Sequence, residues 1–426
     1  MNKKENSKVL IISHNVLSTT SNMGKTMLAF FNNWEPENIA QLYLHSEIPN
    51  TDICTNYFRI TDFDMLNSII QFSDPGTILN KNDIKLNKTS TRVDQGLKNK
   101  IYNFGKKKNS YMYIVRNVLW STNKWNSEKL KKWIEDFNPE IVFFAAGDYS
   151  FSIKIALKIC NEKKIPLVVY FGDEFYFLNV HKFSLANWIN KKIYKNSFEN
   201  MFNNLKTYIT ASDKMLLNYK KEFKKDGHAI MTSTNLNQNS ISSNKIDVIK
   251  ISYIGNLGLN RWKALIEIGN CLKDFNILLN VYSAESRVNI LANMKIENGI
   301  SFHGAIPFDE VKEVINESTI LIHVESMDKE SRQRTKFSMS TKIAESLASG
   351  ACIFAYGPKE VSSIEYLQDN KGACVVTRKE DLKTQLKNII SDEQLREYYR
   401  YNAEKLVSKR HNFVTNTNLF QEIMRN

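Results

Sequence analysis

Phe337–Tyr356 reads FSMSTKIAESLASGACIFAY, a helix followed by a buried strand. Ser338, Ser340 and Thr341 cluster where the helix starts, and side-chain oxygens there are expected to cap unpaired backbone N–H groups. Ile343 and Leu347 set the buried face at i, i+4, and Gly350 ends the helix. The expected helix is Thr341–Ser349 and the strand Cys352–Tyr356. Lys342 and Glu345 share a face near the helix N-terminus, where exposed N–H donors and a partial positive charge favour an anion. Lys342 adds a point charge for a phosphate, and Glu345 can accept from both hydroxyls of a ribose. A capped surface helix with an i, i+3 ion pair, worth a few tenths of a kcal/mol, explains the same residues more plainly.

Outward from this stretch, strand-like and helix-like segments alternate, the pattern of parallel sheets with crossover helices. Towards the N-terminus, the series holds strand Ile249–Ile254, helix Arg261–Leu272 and strands Phe275–Tyr282 and Ile300–His303. Helix Val311–Ile315 and strand Ile320–Val324 follow, and strand Ala373–Val376 lies beyond. An earlier series holds strands Lys8–Ser13, Gln41–Leu44, Tyr57–Ile60, Ile141–Ala145, Leu167–Phe171 and Thr207–Thr210, with helical periodicity over Trp125–Phe137, Ile153–Cys160 and Asp213–Phe223. IVFFA and LVVYF are continuous apolar runs, as a sheet covered on both faces demands. The Ser/Thr/Asn-rich Thr232–Asn244 reads as a linker between the series. The chain is therefore expected to be α/β, with one doubly wound domain over 1–240, a second over 241–405, and a C-terminal segment 406–426. Ligands of such sheets bind beyond the carboxyl ends of the strands.

Four pieces of the second series, in order and spacing, carry a resemblance: YIGNLGLNR (Tyr253–Arg261), SFHGAIPFDEV (Ser301–Val311), LIHVES (Leu321–Ser326) and STKIAESLASG (Ser340–Gly350). Together they resemble the donor-binding signature of GT-B glycosyltransferases, especially family 4. The likeness is good over 248–376 and weaker over 8–34 and 139–223. It implies the GT-B fold, two Rossmann-like domains facing a cleft. It also implies a C-terminal domain that holds a nucleotide diphosphate sugar, retaining transfer, no bound metal or cofactor, and a last helix (Val414–Met424) that returns to the first domain. By the same resemblance Glu345 binds the ribose, Ser340, Thr341 and Lys342 face the diphosphate, and Arg261 or Lys263 contacts the phosphates. The family often places a first glutamate eight residues before the second; Phe337 stands there. Glu325, at the preceding strand end, is the candidate to reach the transferred sugar instead. Asn256 stands where the family has an arginine after the strand glycine.

On the N-terminal side, Ser13–Thr26 (SHNVLSTTSNMGKT) links the first strand to the first helix. Gly24 allows close approach of a phosphate or sugar. GKT here is not a Walker A motif, because Thr19 stands where that motif needs glycine. Asp148 and Asp173 (the latter followed by Glu174) come just after strands and are candidates to orient an acceptor hydroxyl or take its proton. His14 ends the first strand and joins them as a catalytic candidate. Neither acidic loop carries the second spaced acid of a metal-binding DxD. Strand-end acids that cap the next helix, and a hydrogen-bonded structural histidine, are the plainer readings.

The 426-residue chain has a formal net charge of +13. Residues 81–108 hold nine Lys or Arg against Asp83 and Asp94, a local +7. A solvated Lys-rich loop and an anionic membrane surface both fit that charge. Nucleic acid is not an expected partner, since no zinc finger, RNP-like segment or basic heptad accompanies it. The expected partners are a nucleotide diphosphate sugar and a glycan or lipid-linked acceptor. Five scattered cysteines without paired spacing point to a reducing compartment, the cytoplasm, with attachment at the inner membrane face if 81–108 docks there. No G-x-G-x-x-G follows a predicted strand, which argues against a dinucleotide oxidoreductase. A sugar-nucleotide epimerase would need more converging acids and histidines. A non-catalytic GT-B subunit that binds a partner enzyme is the alternative that Phe337 and Asn256 favour.

Overall fold

The computed structural model describes residues 6–19, 22–80, 110–178, 184–234 and 248–425. It divides into two compact units, Met1–Ile230 with Val414–Asn426, and Met231–Phe413. The basic stretch 81–108 and most of the linker Thr232–Asn244 lie outside the described residues.

The first unit is built on eight strands: β1 (Val9–Ser13), β2 (Ile39–Tyr43), β3 (Asn56–Arg59), β4 (Thr77–Leu79), β5 (Ile141–Ala146), β6 (Leu167–Phe171), β7 (Thr207–Thr210) and β8 (His228–Ala229). They run in the order β4-β3-β2-β1-β5-β6-β7-β8. All pairs are parallel except β3 with β4. Every residue of β1, β5 and β6 is buried, which is why these strands read as unbroken apolar runs. Strand order reverses between β1 and β5, the switch point at which such sheets open a ligand crevice. The helix Phe413–Arg425 sends Phe420 into this unit's core, where its ring stacks on Phe30 at 4.8 Å and meets Phe31 and Phe143 edge-on.

The second unit has six parallel strands: β9 (Ile251–Ile254), β10 (Leu279–Tyr282), β11 (Ile300–Gly304), β12 (Ile320–Val324), β13 (Cys352–Tyr356) and β14 (Cys374–Val376). Their order is β11-β10-β9-β12-β13-β14, again doubly wound, with the switch between β9 and β12. Those two strands pair only at Ile320 with Ile251 and Leu321 with Ser252. Their carboxyl ends then part, and the crevice opens there.

The units change over at 230 and 413, where the sequence reading placed its breaks at 240 and 405. Met231 is buried with Ile343 and Leu347 of the second unit. Thr234 bridges Asn412, and the buried His411 ring is held between the Tyr366 hydroxyl (2.8 Å) and the Thr232 carbonyl (2.7 Å). Packing and hydrogen bonds thus commit both segments beyond what their polar composition signals.

Several elements differ from their predicted form. Phe275–Tyr282 is a strand only over Leu279–Tyr282, because a 3-10 turn (Lys273–Phe275) ends at Asn276 in the left-handed region. Helix Asp62–Ile70, absent from the sequence reading, starts with a capping box between Thr61 and Asp64. The helix expected over Thr341–Ser349 spans only Lys342–Leu347, and Thr341 makes no side-chain capping bond. One close approach requires glycine. Gly299 has φ +71°, and a Cβ there would meet the Gly269 carbonyl oxygen at 2.0 Å, so the two glycines seat the turn before β11 on helix Arg261–Leu272. Among the described residues no helix is long and apolar enough to cross a membrane.

Candidate functional site

In the second unit, the turn after β9 runs Gly255-Asn256-Leu257-Gly258-Leu259-Asn260 into helix Arg261–Leu272. The Tyr253 hydroxyl donates to the Asn256 carbonyl (2.7 Å), and the Asn256 side-chain oxygen accepts from Gly258 N–H (2.5 Å). Leu259 and Asn260 both adopt positive φ, a conformation that costs energy and persists when the surroundings hold it. Asp328 supplies part of that hold. It accepts from the Asn260 amide (3.1 Å) and from Ser326 (2.5 Å), and its other oxygen caps the helix Lys329–Thr335. Despite some desolvation, these donors hold its carboxyl well below the usual carboxylate range.

Arg261 and Glu325 meet in the crevice between β9 and β12. Arg261 Nε donates to Glu325 at 3.2 Å and Nη2 to both carboxylate oxygens at 2.9 and 3.0 Å. Glu325 is 3% exposed. Burial raises its pKa, opposed by the guanidinium. The expected reach of Glu325 towards a sugar is thus taken up by Arg261, whose Nη1 stays outside these bonds. His323, on β12, bonds Ser363 (3.0 Å). Burial, with the Arg261 and Lys342 charges, pushes its pKa down to about 3, so the ring is neutral.

Lys342 begins the helix Lys342–Leu347 and carries its ammonium back to the β9 turn, 2.6 Å from where a Gly255 Cβ would stand. A Cβ at Gly255 would also meet the Tyr253 hydroxyl at 2.8 Å, so a larger residue there would displace the ammonium or that hydroxyl. Desolvation at that end and the Arg261 charge lower its pKa, with Glu345 opposing. Ser340 accepts from Ile343 N–H through its carbonyl, and Glu345 lies half-buried in the helix's first turn. Lys263 instead places its ammonium over the Trp262 ring, 5.6 Å from its centre. Phe337 is buried at 9% exposure, an aromatic core contact where the resemblance looks for a sugar-binding acid.

A pocket of about 360 Å³ opens at the carboxyl ends of β9, β10 and β11, lined among others by Gly255, Tyr282, Glu285, Arg287, Ile306 and Lys342. Arg287 grips Glu285 through Nε (2.8 Å) and Nη2 (2.5 Å), and with the Ser286 and Arg287 N–H groups it brings the Glu285 carboxyl down to about 2. The sequence reading missed Tyr282, Glu285 and Arg287. The strand-end rule applied to β10 would have found them.

In the first unit, His14, Asp148 and Asp173 all follow central strands. The His14 ring lies 4.8 Å from Tyr149 and 5.5 Å from His45. Asp148 accepts from the Tyr113 hydroxyl at 2.5 Å. Gly24 sits inside the helix Asn22–Phe31, not in the loop before it, and the neighbouring Met23 reaches Gly172 beside Asp173. Asp173 is exposed. The next residue, Glu174, is buried and accepts from Phe177 N–H (2.8 Å) and the Tyr219 hydroxyl (3.5 Å). Burial pushes its pKa up to about 7. Because the folded value exceeds the ordinary one near 4.5, its contribution to stability is complete below pH 4.5 and lost as pH rises through about 7. Glu174→Gln is therefore expected to flatten the fall in unfolding free energy between pH 5 and 8, a slope worth about 2–3 kcal/mol in the wild type and measurable by denaturant titration at each pH.

Residues 257–422 match the family model described as glycosyl transferase-like. Among curated proteins none matches this chain. Among solved structures, Anabaena HepE in complex with UDP superposes with a TM-score of 0.64 at 11% identity, covering 98% of this chain and 99% of that one. Sucrose-phosphate synthase from Thermosynechococcus elongatus gives 0.60 at 10% identity, covering 98% of each chain. A glycosyltransferase from Rickettsia africae gives 0.59 at 14%, covering 99% of this chain and 100% of that one. The chain has the GT-B fold. The match to the family model begins at Leu257, after Ile254, Gly255 and Asn256, and takes in the rest of the pocket lining and the Lys342 helix. At these identities the GT-B likeness speaks for the fold, and the chemistry rests on the residues described above.

Proposed function

We propose that this protein transfers a sugar from a nucleotide diphosphate donor, held by the second unit, to a glycan or lipid-linked acceptor, with retention at the anomeric carbon. The observation that carries the reading is the Lys342 ammonium lodged against Gly255 at the mouth of the pocket formed by β9, β10 and β11. A cation at that point meets a diphosphate whose nucleoside fills the pocket. Glu345 then accepts from the ribose hydroxyls, and Arg261 Nη1 adds a second donor as charge grows on the leaving phosphate. Support also comes from the UDP and UDP-glucose complexes of Anabaena HepE, a protein of the same fold. We assign no metal or cofactor, a hexosyl donor, and Asp148, Asp173 and His14 of the first unit to the acceptor hydroxyl. Work at the cytoplasmic face of a membrane, in polysaccharide assembly, fits the basic stretch 81–108.

Thermal-shift titration with nucleoside diphosphates and their sugars tests this. A ligand at 100 times its Kd stabilises by about 2.7 kcal/mol, so one member of the panel should raise the melting temperature. Glu345→Ala should weaken that response, and Lys342→Met more so. A folded wild type that responds to nothing in the panel overturns the reading. Phe337 in place of a sugar-facing acid, and Glu325 committed to Arg261, favour one alternative, a subunit that keeps the fold without turnover. Donor binding without donor hydrolysis would decide for it.

A further inference from the structure

We infer that Gln41 is a positioning residue for the acceptor side of the reaction: from inside the first unit's core it sets the turn that carries His14. The inference rests on the reading of His14 given above and adds the group that places it.

Strand β2 reads IAQLY, and all of its residues are buried. Gln41, in the middle, is 0% exposed, between Ile39 and Tyr43 of that unit's apolar core. An amide there is costly unless each of its groups is bonded. Each is, and every partner lies between Ser13 and Leu17. Gln41 Nε2 donates to the Ser13 hydroxyl (2.8 Å) and to the Asn15 carbonyl (3.1 Å), and Oε1 accepts from Leu17 N–H (3.0 Å). The Ser13 hydroxyl in turn donates to the Asn15 carbonyl (2.7 Å), and Leu44 N–H donates to the carbonyl of His14 itself (3.2 Å).

These bonds fix the backbone on both sides of His14, at the carboxyl end of β1. The His14 ring stands 4.8 Å from that of Tyr149, just beyond β5, and 5.5 Å from that of His45, just beyond β2. The imidazole is thereby held at the switch point between β1 and β5, where Tyr113 also meets Asp148. A fully bonded buried network specifies one arrangement of the turn. An apolar residue at position 41 would pack in this strand without the cost of a buried amide, but it would strip Leu17 N–H of its acceptor. What the amide secures is the turn, not the sheet. A group that takes a proton must stay within hydrogen-bond reach of it, and a misplacement of about 1 Å can cost on the order of 100-fold in rate.

NMR spectra of the full chain with isotope-labelled histidine test the placement without any substrate. The His14 resonance, assigned through His14→Asn, should lose its ring-current shift in Gln41→Leu, while those of His303, His323 and His411 in the second unit stay where they are. In Gln41→Glu it should keep that shift, because a buried carboxyl stays protonated and offers an acceptor to Leu17 and a donor to Ser13. If Gln41→Leu fails to fold, Gln41→Asn, one methylene shorter and unable to hold all three bonds, carries the same expectation. Turnover of the donor that the thermal-shift panel identifies then tests the role. Gln41→Leu should lower kcat about tenfold or more with donor KM within about twofold. Combined with His14→Asn, it should lose no more than His14→Asn alone. An unmoved His14 resonance, or two losses that add in full, would overturn the inference. If no donor turns over, or His14→Asn leaves turnover intact, the reading of His14 fails, and the spectra still decide whether Gln41 places the ring.

Discussion

Arg261→Met is expected to destabilise the second unit by about 3–5 kcal/mol in denaturant unfolding, because it strands the Glu325 carboxylate in the crevice. Glu325 is 3% exposed, and among the described residues its carboxylate accepts hydrogen bonds from Arg261 alone. In the variant its pKa should rise further, so the loss should shrink towards acid pH as the carboxyl takes up a proton. Adding Glu325→Leu should recover most of the stability, since a neutral packed pair has no stranded charge. A single-variant cost under about 1 kcal/mol would mean that the pair behaves as a solvent-screened surface bridge. The double variant separates stability from chemistry. If it is stable yet responds weakly to nucleotide, Arg261 contributes to donor binding as well as to the pair.

Phe420→Ala is the second large effect, at about 3–5 kcal/mol. Phe420 is fully buried and is surrounded by Phe30, Phe31, Trp34 and Phe143. The vacated volume is bounded by rings that cannot easily collapse into it. The loss should fall on the first unit, so tryptophan fluorescence from Trp34 should change at lower denaturant. The nucleotide-induced stabilisation of the second unit should persist. Equal weakening of both units would show that they unfold as one cooperative body.

The doubly wound sheets were legible because their central strands are apolar on both faces, as in β1, β5 and β13. The Lys342 helix was legible through its i, i+4 pattern and the glycine after it. Helix Asp62–Ile70 escaped because its capping box uses Asp64 where the usual signal is Glu or Gln. The partners of the candidate residues were less accessible. Glu325 and Arg261 stand sixty-four positions apart, and only the parting of β9 from β12 brings them together. Nor does local sequence say that Phe337 is buried or that Lys342 folds back on Gly255. Both follow from packing around the crevice. The pocket residues Tyr282, Glu285 and Arg287 sit at and just beyond the carboxyl end of β10, whose end the sequence placed correctly at Tyr282, but no motif there marks a ligand.

The helix that carries Phe420 has a consequence for how the chain is made. Residues 414–425 leave the ribosome only after the entire second unit has been synthesised, and until then Phe30, Phe31, Trp34 and Phe143 lack a neighbour that their core requires. The usual order, in which the amino-terminal domain is finished first during translation, is therefore reversed here. The domain begun first is completed last, and during that interval it offers an aromatic cavity to chaperones and to misassembly.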